Sequence, residues 1–235
     1  MDDGAGRIDA RSKLVDWMQT LRVRCGFCAT ESEQSVAGAA REIEPPDFDT
    51  RPGEHVRSTI HAWMQHCPEC GYCAADISSI HEDAVPLLGT PEYHRQRSDA
   101  SFPEGARPFL CHSLILQHLG QWADAGWSSL HAAWVCDDSG DVASAVACRT
   151  HALTLWQRAK KGGENFGDDI GMEYILVTDL YRRTGQFEQA VVTCSDALDT
   201  QDLPPMLEQI LRREKALIDQ KDTAAHSLAS ILRIS

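Results

Sequence analysis

Two patterns of apolar residues divide the chain. From Pro108 onward, apolar side chains recur at helical spacing, as in Trp127, Leu130 and Trp134, which fall at i, i+3 and i+7 on one helix face. Before Pro108, apolar residues occur in short runs separated by cysteines, prolines and charges. We therefore predict a mainly α protein, with a small N-terminal part that contains β structure (residues 1–90) and a helical part (residues 91–235).

The most regular unit of the helical part is residues 171–205, whose pattern is typical of a tetratricopeptide helix–turn–helix. Its first helix is lined by Tyr174, Val177 and Tyr181, its turn contains Gly185 and Phe187, and Ala190, Cys194 and Ala197 face the gap between the helices. Small residues there permit close helix packing. The unit departs from the usual pattern at Thr178, where Gly is common, at Cys194, where an aromatic residue is common, and at Pro204, two positions late.

A weaker copy of this unit centres on Gly140, 45 residues before Gly185 rather than the usual 34. Its second helix is predicted to bury Val142, Ala145, Val146, Ala152 and Trp156. The extra length falls in the glycine-rich stretch 160–169. Apolar residues in 204–234 predict one or two more helices, which would cap the array.

The N-terminal part has weaker periodicity. Its predicted elements are a helix over about 8–20, a strand-like 21–24, a proline-rich loop at 44–54, a strand over 57–65, a helix entered within 72–80 and a connection at 91–107. The loop carries Asp47, Asp49 and Arg51. These side chains could bind a ligand, or they could form local ion pairs in a solvated connection.

Cysteine spacing supplies the strongest chemical signal. Of nine cysteines, Cys25 with Cys28 and Cys67 with Cys70 form two Cys-x-x-Cys knuckles, separated by 38 residues. Two tight turns of this kind supply four thiolates to a tetrahedral Zn²⁺, which predicts a zinc-ribbon-like N-terminal part. Gly26 and Gly71 are expected to provide the turns, and Pro68 to set the bend of the second knuckle. The remaining cysteines outside Cys73, which are Cys111, Cys136, Cys148 and Cys194, lie in apolar segments and are predicted to be core residues.

Three other uses of the knuckles stay open. The first knuckle could be a thioredoxin-type redox pair, although no βαβ pattern follows it. Cys67, Cys70 and Cys73 begin like a ferredoxin run, but Ile77 stands where the fourth cysteine is needed. Catalytic zinc would require an open position, which a ligand exchange to His61, His66 or Cys73 could create.

Charge and composition narrow the functional classes. The chain has 22 Lys and Arg against 35 Asp and Glu, a formal net charge of −13. Residues 1–80 carry 8 basic and 13 acidic side chains, with only Arg22 and Arg24 beside a knuckle, so we expect no nucleic-acid binding. The sequence also shows neither a membrane-spanning segment nor a secretory signal, which predicts a cytoplasmic protein with reduced thiols.

The sequence resembles a bacterial family known as domain-of-unknown-function family 2225. The resemblance rests on CPECGYCAADIS at 67–78, on the upstream Cys-x-x-Cys and on YILVTDLYRRTGQFEQA at 174–190, and it covers roughly residues 20–200. It implies a zinc-knuckle head on a tetratricopeptide-like helical body, without an assigned activity. Cys73 stands where the resemblance leads us to expect Ala.

Two functional hypotheses follow. The first is a non-enzymatic interaction module, in which a structural four-cysteine zinc site fixes the fold and a helical-repeat surface binds a protein or peptide. The alternative is a zinc- or thiol-dependent enzyme built on the cysteine cluster. The first is favoured because the sequence has no convergent set of acid, base and nucleophile.

Overall fold

The computed structural model describes residues 18–38, 42–167 and 170–232 and is mainly helical. The N-terminal part contains β1 (Met18–Arg24), β2 (Glu31–Ala37), α1 (Glu54–Arg57), β3 (Gln65–His66), β4 (Cys73–Ala74) and α2 (Val85–Leu88). The helical part contains α3 (Pro91–Ser98), α4 (Arg107–His118), α5 (Trp122–Asp138), α6 (Val142–Gly162), α7 (Ile170–Arg183), α8 (Phe187–Leu198), α9 (Pro205–Asp219) and α10 (Ala229–Leu232). Within these ranges, no helix has both the length and the apolarity to cross a membrane.

Two small antiparallel sheets form the N-terminal part. Strands β1 and β2 form a hairpin in which Met18 pairs with Ala37 and Arg24 pairs with Glu31, and β3 pairs with β4. The buried side chain of Gln34 joins the sheets: its Nε2 donates to the His66 carbonyl at 3.0 Å, and its Oε1 accepts from the His66 amide at 3.3 Å. This amide clasp holds the hairpin against the strand that enters the second knuckle.

Several predicted elements of the N-terminal part are wrong. The strand expected over 57–65 is a compact turn with a 3₁₀ segment at Ile60–Ala62, and only Gln65–His66 pairs as a strand. Thr59 closes this turn, because its hydroxyl donates to the Val56 carbonyl at 2.7 Å and accepts from Trp63 Nε1 at 2.9 Å. Side chain to backbone bonds of this kind compete with strand pairing.

Two more segments differ from the prediction in their helix content. The segment 72–80 forms β4 and turns instead of entering a helix, and the expected connection at 91–107 contains α3 and a 3₁₀ segment at Glu104–Ala106. Of the helix expected over 8–20, residues 8–17 lie outside the described residues and residues 18–20 belong to β1. The strand expected at 21–24 is confirmed.

The helix–turn–helix prediction for 171–205 is confirmed, and its turn geometry recurs. Gly120, Gly140 and Gly185 have φ between 71° and 74° and follow α4, α5 and α7 respectively. In each turn the next amide donates at 2.9 Å to the carbonyl five residues earlier, as Gln186 does to Tyr181. This is the Schellman arrangement that ends a helix, and it sends each following helix back along the preceding one.

The predicted helical core is largely confirmed. Its buried members include Leu130, Trp134, Ala145, Ala152, Tyr181, Ala190, Cys194 and Ala197, together with Cys111, Cys136 and Cys148. Val142 departs most from the prediction: it begins α6 and is 72% exposed. One hydrophobic cluster continues into the N-terminal part through Ile77 and Leu87. The division at residue 90 stays a prediction.

Acid is expected to destabilise the protein through two half-buried histidines, His112 and His131. His131 lies among aromatic rings, with centroids 4.8 Å from Trp134 and 5.5 Å from Trp63, and burial together with the charge of His112 lowers its pKa to about 4. Burial alone lowers the pKa of His112 to about 4. The unfolded chain therefore takes up protons between pH 6.5 and 4, and the folded chain does not. Stability is complete above pH 6.5 and falls by about 2 kcal/mol per histidine between pH 7 and 5.

Urea unfolding at pH 7, 6 and 5 measures this loss. His131→Phe should reduce the loss of stability between pH 7 and 5 by about 2 kcal/mol, because it removes the contribution of one histidine. Acid can also release a thiolate-bound metal, and the comparison with the unsubstituted protein separates the two effects. An unchanged slope in His131→Phe would show that His131 does not contribute.

Candidate metal centre

The four knuckle cysteines come together at one point. Cys25, Cys28, Cys67 and Cys70 place their sulfurs within 4.8 Å of one another, with 3.7 Å between Cys25 and Cys70 and 3.5 Å between Cys28 and Cys67. A tetrahedral cation bound at about 2.3 Å would separate its sulfur ligands by about 3.8 Å, whereas a disulfide would place them about 2 Å apart. The cluster therefore fits a four-thiolate metal site.

The two knuckles have the same backbone design. In the first, the Cys25 amide donates to the Thr30 carbonyl and the Ala29 amide to the Cys25 carbonyl, both at 2.9 Å. In the second, Cys67 with Tyr72 and Gly71 with Cys67 make the equivalent bonds at the same length. The fourth residue after each leading cysteine is left-handed, with φ 62° at Ala29 and 75° at Gly71.

The turn expected from Gly26 is thus wrong, because Ala29 is the left-handed residue of the first knuckle. Gly26 serves packing instead. Its amide donates to the Ile77 carbonyl at 2.8 Å, and a Cβ at this position would lie 2.6 Å from the Ser78 carbonyl oxygen. Only glycine allows the first knuckle to lie so close to the chain that follows the second knuckle.

Helix α3 supports the second knuckle. This helix was not predicted from the sequence. The Tyr93 hydroxyl donates to the Gly71 carbonyl at 2.9 Å, and Arg97 donates to the Pro68 carbonyl at 3.1 Å. Both side chains come from the segment predicted as a connection. A signal was present: Thr90 followed by Pro91 is a common helix start, and the Thr90 hydroxyl accepts from the Tyr93 amide at 3.2 Å.

The thiols of the cluster differ in their ease of ionisation. Burial raises the pKa of Cys25 and of Cys70, whereas a hydrogen bond with the Thr30 side chain lowers the pKa of Cys28 to about 6. Without a cation, four thiolates at this separation would repel one another. A bound divalent cation supplies the charge that ionises all four, so metal binding releases protons and weakens in acid.

The other residues considered as ligands lie outside the cluster. His61 and His66 are exposed, and neither belongs to the group of four. Cys73 is buried and donates to the Gly71 carbonyl at 3.2 Å. Among the described residues, the sulfur cluster thus contains only the four cysteines predicted as metal ligands.

The loop between the knuckles inserts into the helical part. Asp49 is completely buried, and its Oδ2 accepts from Arg149 at 2.7 Å, from Arg183 at 2.9 Å and from Trp134 Nε1 at 3.2 Å. Asp137 lies on the other side of the two guanidinium groups, 2.6 Å from Arg149 and 3.1 Å from Arg183. The reading of this loop as a solvated connection is therefore wrong for Asp49.

The remainder of the loop is held on both sides. Arg51 makes an ion pair with Asp138 at the end of α5 and lies 3.8 Å from Asp47. Residues 46–48 run beside 226–228, with the Phe48 amide bonded to the His226 carbonyl at 3.0 Å and the Leu228 amide to the Pro46 carbonyl at 2.9 Å. The chain between the two knuckles thus contacts α5, α6, α7 and the C-terminal segment.

These features define a mainly helical protein with a four-cysteine cluster suited to a metal ion. No protein-family model matches the chain, and no curated protein or solved structure shows significant similarity to it. Its membership of domain-of-unknown-function family 2225 stays a prediction from the motifs.

Proposed function

We propose that the protein is a non-enzymatic interaction module, in which Zn²⁺ at the four-cysteine cluster fixes the N-terminal part and a tetratricopeptide-like helical surface binds a protein or peptide. The observation that carries the proposal is the closed set of four sulfurs. Zn²⁺ is the common occupant of a tetrahedral four-thiolate site, and four protein ligands leave no position for water or substrate.

The chemistry of the helical part supports a non-catalytic role. Among the described residues, the nearest approach to a nucleophile–base pair is Ser129 and His151, whose Oγ and Nδ1 lie 3.2 Å apart. Ser129 is fully buried between helices and also bonds to Ser113 at 2.9 Å. The buried Asp49 and the half-buried Asp137 form ion pairs with arginines. These contacts stabilise the packing of the helices.

The proposed partner surface is a groove of about 420 Å³ between the start of α6, the turn after α7 and residues 223–225. Val142, Ala145 and Val146 form the apolar side of this groove. A strongly exposed valine beside a concave surface is suited to the contact of an apolar partner side chain.

Partner capture with crosslinking tests the proposal on the full, metal-loaded chain. Val142→Asp should weaken capture of a partner about tenfold or more, because it places an unpaired charge in the apolar contact. Val192→Asp on α8 is the matched control, since Val192 is 60% exposed and lies outside the groove. Failure to find a stable partner under any growth condition, or binding that is insensitive to Val142→Asp, would contradict the proposal.

Measurement of zinc content, zinc exchange and thiol reactivity distinguishes the interaction module from the enzymatic alternative. One tightly held zinc, with four thiols protected from alkylation, agrees with the structural site. An exchangeable zinc with a bound water would instead indicate a hydrolase, and free reactive thiols in the knuckles would indicate a thiol oxidoreductase.

A further inference from the structure

Four of the cysteines outside the metal cluster form two pairs. The thiols of Cys73 on β4 and Cys111 on α4 interact with each other, as do those of Cys136 on α5 and Cys148 on α6. All four side chains are buried. Neither pair was recognised from the sequence, because its members come from separate elements.

The first pair differs from the second in its access to a cavity. A cavity of about 310 Å³ is lined by Cys73, Cys111, Arg97 and Arg107, among others. Cys136 and Cys148 do not line it, and they lie at the interface of α5 and α6 with 0% and 1% of their surface exposed. A small reagent in the cavity would therefore contact both residues of the first pair.

The surroundings also distinguish the roles of the two thiols. The hydrogen bond from Cys73 holds the pKa of Cys111 below its usual value, and the Tyr93 hydroxyl and the Arg97 charge act in the same direction. The same contact and burial raise the pKa of Cys73. Since the thiolate is the nucleophile, these contacts favour Cys111 as the first sulfur to react.

We propose that Cys73 and Cys111 form a reversible dithiol site, which hydrogen peroxide entering this cavity oxidises to a disulfide. The Cys111 sulfur attacks one peroxide oxygen, the O–O bond breaks, and the leaving oxygen takes the Cys111 proton, which gives a sulfenic acid and water. The Cys73 sulfur then attacks the Cys111 sulfur, and the sulfenic hydroxyl leaves with the Cys73 proton as a second water. Two thiols lose two electrons and two protons, and one hydrogen peroxide is reduced to two waters.

The disulfide would connect β4, directly after the second knuckle, with α4 of the helical part. It uses no metal ligand, so oxidation should leave the metal bound. The inference does not depend on the partner groove, and it concerns sulfurs that the interaction function does not use.

The test treats the metal-loaded full chain with hydrogen peroxide, blocks the remaining thiols, and identifies linked peptides by mass spectrometry without reduction. We expect a peptide that links Cys73 to Cys111, its disappearance after treatment with dithiothreitol, and unchanged metal content. The Cys136–Cys148 pair is the internal control, because it has adjacent thiols without this cavity. Linkage of Cys136 to Cys148 as readily as Cys73 to Cys111, or linkage only after metal loss, would overturn the proposal.

Single-cysteine variants test which of the two sulfurs reacts first with the peroxide. Cys73→Ala should lose all of the linked peptide and leave Cys111 as a sulfenic acid that dimedone traps. Cys136→Ala should retain the 73–111 link. Circular dichroism confirms that each variant is folded, and the measurement on the unsubstituted chain stands even where a variant is not. Absence of dimedone labelling at Cys111 in folded Cys73→Ala would contradict its role as the first nucleophile.

Discussion

Removing a metal bound at the four-cysteine cluster with a strong chelator is expected to unfold both knuckles and to produce a larger loss of stability than any single substitution. Structural zinc binding contributes about 10–16 kcal/mol in small zinc-finger peptides at neutral pH. The β1–β2 hairpin has few buried side chains of its own, with Gln34 its buried member. Without the cation, little else would hold the Cys25 knuckle against the Cys67 knuckle.

Metal content, far-ultraviolet circular dichroism and tryptophan fluorescence measure this effect together. Trp63 reports on the contact between the two parts, since its ring centroid lies 5.5 Å from that of His131. Cys67→Ser should lose the metal and melt at a lower temperature. Cys194→Ser is the matched control, because Cys194 is buried in the helical part and donates to the Leu211 carbonyl at 3.3 Å. Metal-free protein with an unchanged melting temperature would refute a structural metal site.

The clustering of the four knuckle cysteines was predictable from the sequence because the signal is local. Two residues between cysteines, with a turn, suffice to indicate a metal knuckle. The support of that site was not predictable, since it depends on contacts between distant segments. Gly26 lies against Ser78, and Gln34 bonds to His66, and neither contact leaves a periodic signal in the chain.

Among the helices, too, only those with a clear local signal in the sequence were predicted. Apolar spacing predicted α5 to α9, because each buries one continuous face. Short elements such as α3 were missed, because eight residues with charged side chains give little periodicity. Val142 was placed wrongly since apolar spacing cannot tell that the first turn of α6 borders an open groove.

The burial of the loop at 44–54 was also not predictable, because it depends on residues far away in the sequence. Proline, aspartate and glycine indicated correctly that it is neither helix nor core strand. Burial of Asp49 depends on Arg149 and Arg183, which are 100 and 134 residues away along the chain. A polar loop is buried only where such partners satisfy its charge, so its sequence alone suggested solvent exposure.

Asp49→Asn is expected to destabilise the folded chain by about 3–5 kcal/mol at neutral pH, because removal of one partner leaves buried charges uncompensated. Burial opposes ionisation of Asp49, but the charges of Arg149 and Arg183 outweigh it and lower its pKa to about 2. The unfolded carboxyl titrates near 3.9, so the stabilisation is complete above about pH 4 and is lost as the pH falls towards 2. Asparagine can still accept a hydrogen bond from Trp134, so the variant tests charge rather than shape.

Denaturant unfolding of Asp49→Asn and of Glu54→Gln at pH 7 provides the comparison. Glu54 also pairs with an arginine, Arg57, but its side chain is 69% exposed, and loss of a surface pair typically costs about 0–1 kcal/mol. A double-mutant cycle of Asp49→Asn with Arg149→Met should give a coupling free energy well above that of the surface pair. Equal losses in Asp49→Asn and Glu54→Gln would mean that Asp137 alone holds the two arginines. The loop between the two knuckles would then add little to the packing of the helices.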